Sequence, residues 1–83
     1  MKTEKQAKVD LAKVVEFLND IQYQVVRRQS VKSGGYISLV VYLKARDQVV
    51  SRTAMFIAED YGYDFTAISL RGEEFRLQWD HKL

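Results

Sequence analysis

Phe17-Leu18-Asn19-Asp20-Ile21-Gln22-Tyr23-Gln24-Val25 and, forty residues later, Ile57-Ala58-Glu59-Asp60-Tyr61-Gly62-Tyr63-Asp64-Phe65 are the two places where the chain changes its hydrophobic period. In each, apolar spacing of three and four gives way to alternation, the change from a helix with one buried stripe to a strand with one buried face. Asp20 falls on Asp60 under the shift, and Tyr23 on Tyr63. The two switches point to an αββ unit used twice.

Upstream of the first switch, Ala7, Leu11, Val14, Val15, Leu18 and Ile21 fall on one stripe and predict a helix from Lys5 to about Asp20. Thr3 stands where an N-cap is wanted, Gln6 is placed to complete a capping box, and Glu4 with Lys8 makes an i,i+4 pair. Downstream, Ile21, Tyr23 and Val25 alternate with Gln22 and Gln24 in a strand that runs on through Val26, Arg27 and Arg28. Ser33-Gly34-Gly35 permits a reversal, and a second strand follows from Tyr36 to about Arg46, with Ile37, Leu39, Val41 and Leu43 facing the core.

Residues 47 to 61 satisfy two patterns. Thr53, Met55 and Ile57 alternate, whereas Val50, Ala54, Ile57 and Tyr61 make a helical stripe. Helix is favoured, because Asp47 suits an N-cap and Gly62 stands where a left-handed residue ends a helix. Phe65 to Leu70, the turn Arg71-Gly72-Glu73, and Glu74 to Asp80 with Phe75, Leu77 and Trp79 inward then form a second hairpin. The fold class expected is α+β in the order αββαββ, a four-stranded antiparallel sheet with two helices packed on one face. The alternative is one N-terminal helix on a five-stranded meander.

Eighty-three residues, 47% of them hydrophobic, suit one core, and residues 1–83 are expected to be a single domain. The absence of cysteine removes disulfides and thiolate metal sites as staples and favours a cytoplasmic location. The charged start, Met1-Lys2-Thr3-Glu4-Lys5-Gln6, resembles neither a signal peptide nor a membrane span, so no membrane association is expected. Thirteen Lys and Arg against eleven Asp and Glu leave only +2. Any electrostatic argument must therefore be local.

Little in the sequence points to catalysis, and the chain is not expected to be an enzyme or to need a cofactor. His81, the single histidine, lies two residues from the C-terminus, where a frayed, solvated side chain is expected. No nucleophile elbow surrounds the serines. Glu59, Asp60 and Asp64 cluster near Gly62, but their spacing fits no EF-hand loop and reads as a solvated helix end; no metal site is expected. Lys32-Ser33-Gly34-Gly35 lacks phosphate-loop spacing and reads as a turn. Lys2, Lys5 and Lys13 read as a solvated helix face.

The surface that invites a partner is the sheet face opposite the helices. Alternation places Arg28, Tyr36, Val40, Tyr42 and Lys44 there, joined by Arg71 and Arg76 from the second hairpin. Two functions fit such a face. The first is a non-catalytic binding or regulatory role through protein-protein association, as a homodimer or by docking on a larger protein, with an exposed Val40 between Tyr36 and Tyr42 asking to be covered. The alternative is a single-stranded nucleic-acid (RNA or DNA) binding module, in which aromatics stack bases and cations hold phosphates. Glu74 and Asp80 dilute the charge, and no RNP-type or KH-type motif is present.

Overall fold

The computed structural model describes residues 2–44 and 50–83. Its elements are α1 (Glu4–Asp20), β1 (Gln24–Ser33), β2 (Tyr36–Lys44), α2 (Val50–Tyr61), β3 (Asp64–Arg71) and β4 (Glu74–Lys82). The strands form one antiparallel sheet in the order β1-β2-β4-β3. The αββαββ expectation is met, and the helix at Val50–Tyr61 excludes the five-stranded meander. Asp47, expected to cap α2, lies outside the described residues.

Thr3 caps α1 by accepting the Gln6 N–H at 3.1 Å, leaving one fewer unpaired donor at the helix start. Gln6 does not close the capping box, however: its side-chain amide reaches forward to Asp10 Oδ1 at 3.0 Å. The stripes of α1 (Ala7, Leu11, Val14, Val15, Leu18) and α2 (Val50, Ala54, Ile57, Ala58) pack with Ile37, Leu39, Val41, Leu43, Leu77 and Trp79 into one core. Trp79 is fully buried, and its indole N–H donates to the Ala54 carbonyl at 2.8 Å, tying α2 to the sheet. Phe17 and Phe56 stack at 6.2 Å where the helices meet. Among the described residues no helix is long and apolar enough to cross a membrane.

The forty-residue echo is present in three dimensions. Tyr23 N–H donates to the Leu18 carbonyl and Tyr63 N–H to the Ala58 carbonyl, both at 3.0 Å. The residue before each tyrosine is left-handed, Gln22 at φ 77 and Gly62 at φ 75. Each first strand then carries a register shift at the same place, between Val25 and Arg27 and between Phe65 and Ala67. The pairings Arg28↔Val41 and Ile68↔Leu77 correspond, and Val41 pairs directly with Leu77. A pseudo-two-fold axis therefore passes between β2 and β4 at that pair.

One buried carboxylate departs from the repeat. Asp10 is 4% exposed and accepts from Tyr63 Oη at 2.7 Å, Gln6 Nε2 at 3.0 Å and Lys2 Nζ at 3.1 Å. Lys2 Nζ also lies 4.5 Å from the centre of the Tyr63 ring. Burial alone would raise the Asp10 pKa, but the bonds from Tyr63, Gln6 and Lys2 outweigh it and hold the carboxyl below its ordinary range. Burial and the Asp10 charge together push the Tyr63 hydroxyl well up. His81 corrects the expectation of a frayed end: it lies within β4, half-buried, paired with Ile37 and edge-on to Tyr63 at 6.1 Å.

Left-handed backbone costs a side chain about 1–2 kcal/mol, while glycine costs about 0.4–1 kcal/mol through the unfolded chain. Gln22→Gly should therefore stabilise the protein by about 0.5–1 kcal/mol and Gly62→Ala destabilise it by a similar amount, as read by urea unfolding. Tyr63→Phe should cost about 1.5–3 kcal/mol at neutral pH, the range for a hydrogen bond to a charged group. Because a depressed carboxylate pKa gives stability above the unfolded value and loses it as pH falls through the folded value, that cost should shrink in acid.

Candidate functional site

Residues paired across an antiparallel sheet share a face, so the register sorts the sheet into rows. On the face away from the helices, one row runs Arg27, Tyr42, Arg76, Ser69 across β1, β2, β4 and β3. The row on one side of it is Gln24, Lys44, Glu74, Arg71; those on the other side are Gln29, Val40, Gln78, Ala67 and then Val31, Ser38, Asp80, Asp64. Tyr36, paired with Ser33 and Lys82, lies at the far end.

The first row is the chemical centre of the face. The Arg27 guanidinium lies 4.2 Å from the Tyr42 ring centre, a cation–π contact, while Arg76 Nε donates to Tyr42 Oη at 3.2 Å. Arg27, Tyr42, Ser69, Arg71, Glu74 and Arg76 line a shallow depression of ≈ 500 Å³. Three guanidiniums and one carboxylate share it, so a molecule of overall charge +2 has a concentrated cationic patch. Guanidinium forks of this kind match phosphate or carboxylate oxygens.

A polar relay continues from this row. Arg76 Nη1 donates to Gln78 Oε1 at 2.8 Å, and Gln78 Nε2 donates to Asp80 Oδ1 at 3.0 Å. Ser38 Oγ donates to Asp80 Oδ1, and Thr66 Oγ1 donates to Asp80 Oδ2 at 2.9 Å. Burial would raise the Asp80 pKa; the bonds from Ser38, Gln78 and Thr66, with the charge of Arg76, outweigh it and lower the pKa. Asp80 thus spends its acceptors inside the sheet face instead of presenting them outward.

The structure brings together four of the seven residues singled out from sequence: Tyr42, Arg71 and Arg76 line the depression, and Lys44 stands beside Glu74 in the adjoining row. Tyr36 is on the same face and 43% exposed, but six residues along β2, roughly 20 Å from Tyr42. Two expectations are corrected. Arg28 pairs with Val41 and so lies on the helix side, because the bulge between Val25 and Arg27 adds one residue and reverses the alternation. Val40 is only 2% exposed: it sits in a central strand between Gln29 and Gln78, in a row whose long side chains flank it.

Arg27 is the residue that strict alternation missed. The signal was present in Val25-Val26, two consecutive apolar residues that interrupt the period of two and mark a bulge. No family model matches the chain, and no curated protein matches it in sequence.

Asp80→Asn removes a carboxylate whose pKa is depressed in the fold. The stability the wild-type carboxylate contributes is present above its unfolded pKa and is lost as pH falls through the folded one. Thermal unfolding across acid to neutral pH should therefore show a smaller acid-dependent loss for Asp80→Asn than for wild type.

Proposed function

We propose that the protein is a binding module, not an enzyme, and that its open sheet face holds single-stranded nucleic acid by the phosphates. The observation that carries this reading is the row Arg27, Tyr42, Arg76, in which two guanidiniums engage one aromatic residue on an exposed sheet face. Arginine against tyrosine offers both a phosphate clamp and a flat surface for a base. Arg71 and Lys44 extend the positive charge toward one end of the sheet, and the internal bonding of Asp80 limits the repulsion a phosphate chain meets there.

Protein association through the same face calls for an exposed apolar centre. With Val40 covered, the centre of the face is polar, and an arginine-lined depression suits an anionic chain better than an apolar partner.

The test is titration of the purified chain with a labelled mixed-sequence single-stranded oligonucleotide at several salt concentrations. Wild type should bind, and its affinity should fall steeply as salt rises. Arg27→Ala with Arg76→Ala should weaken binding at least tenfold and reduce the salt slope by roughly 1 to 2, while Arg28→Ala, on the other face, should leave both unchanged. Wild-type binding that ignores salt, or a double variant that binds as wild type does, sinks the proposal.

A further inference from the structure

The two edge strands occupy equivalent places in the repeat and differ in character. On the helix side of β1 stand Arg28 and Ser30, paired with Val41 and Leu39; on the helix side of β3 the corresponding residues are Ile68 and Leu70, paired with Leu77 and Phe75. Ile68 is 42% and Leu70 58% exposed. Charged side chains on an edge are a common guard against pairing with another chain, and β1 has Arg27, Arg28 and Lys32. Between Phe65 and Leu70, β3 carries no charge and no proline. Its bulge lies at the start, which leaves Ala67 to Arg71 as a regular edge with its one charge, Arg71, at the end.

Met55 adds to the same flank. Ala54 faces the sheet, where its carbonyl receives the Trp79 indole, and Phe56 faces α1, where it stacks on Phe17. At about 100° per residue, Met55 is left on the side of α2 turned from α1, the helix packs beside β3, and Met55 is 60% exposed.

We infer that the β3 edge pairs with the β3 edge of a second copy of this chain, antiparallel and centred on Ser69, to form an eight-stranded sheet. Face parity requires the two-fold to pass through a residue, and pairing the whole regular edge makes that residue Ser69. This register pairs all five regular residues: Ser69 with its own copy, Ile68 with the partner's Leu70 and Leu70 with the partner's Ile68 on the helix side, and Ala67 with the partner's Arg71 on the open side. The apolar residues of the two edges meet each other.

Charge is complementary too. Asp64 stands directly opposite Asp80 within its own sheet, an unfavourable pairing of like charges, and among the described residues it has no ion-pair partner. The partner's Arg71, beside Ala67, is one diagonal step away, within reach of a long side chain. Two-fold symmetry makes this pair twice. The same operation sets the two open-face rows end to end, Arg27, Tyr42, Arg76 and Ser69 meeting the partner's Ser69, Arg76, Tyr42 and Arg27, a span of roughly 34 Å.

The dimer does not rest on the nucleic-acid reading, and it is tested without nucleic acid, by light scattering and sedimentation of the nuclease-treated chain up to the hundred-micromolar range. Wild type should be dimeric. Ile68→Lys with Leu70→Lys, at exposed positions, should be monomeric with an unchanged circular dichroism spectrum. Asp64→Arg should weaken the dimer about tenfold or more by facing Arg71, and Asp64→Arg with Arg71→Asp should regain most of that loss. A monomeric wild type overturns the proposal, as does a double-lysine variant that stays dimeric. A charge swap that binds itself no better than Asp64→Arg alone overturns the register.

Discussion

The pairing of β2 with β4 is the constraint on which the remainder of the fold depends. These central strands run antiparallel from Tyr36↔Lys82 to Lys44↔Glu74 without a bulge, and they are the sheet contact that joins the two αββ units. Of their helix-side residues, Ile37, Leu39, Val41, Leu43, Leu77 and Trp79 are buried. Both helices pack into the one core that includes this shared surface. Removing one such side chain opens a cavity at the junction of both units, with the cost expected of large-to-small core changes. The Trp79 bond to the Ala54 carbonyl has its effect here as well, since it fastens the second helix to β4, one of the two strands that flank the axis.

Bulges then decide what that rigid centre displays. A strand with strict alternation would have sent Arg28 to the open face; one extra residue after Val25 sends Arg27 there, against Tyr42. The matching bulge in β3 frees Thr66 to donate to Asp80 and to approach the Gln78 carbonyl. Bulges at equivalent places thus produce a cationic row in one half and an acid-capturing cluster in the other. The repeat conserves backbone geometry, while the side chains it presents have diverged.

That division explains what sequence could and could not disclose. The order of elements was legible, because a period of three and four becoming a period of two is a long-range signal summed over many residues. The inward residues of β2 and β4 were legible for the same reason. Arg28 is on the other face and Val40, on the expected face, is covered, and each outcome depends on one local event: a single inserted residue for the first, flanking glutamines on neighbouring strands for the second. Asp10 was missed because its partner Tyr63 is fifty-three residues away, and nothing in a helical stripe distinguishes a buried carboxylate from a solvated one.

The divergence of the halves also bears on how the molecule meets others. A sheet made by an exact two-fold would have identical edges and a symmetric open face, and each feature would then occur twice. Here Arg27, Tyr42 and Arg76 have Ala67, Gln78 and Val40 as their counterparts across the axis, so positive charge is concentrated on one side. Arg28 and Ser30 have Ile68 and Leu70, so on the helix side of the two edges the exposed apolar pair lies on β3. The two asymmetries are physically linked through β3, whose alternating residues supply Ser69 and Arg71 to the open face and Ile68 and Leu70 to the helix side. A strand that is at once the rim of the cationic depression and an edge of the sheet couples the two surfaces: whatever orders that edge also orders Ser69 and Arg71.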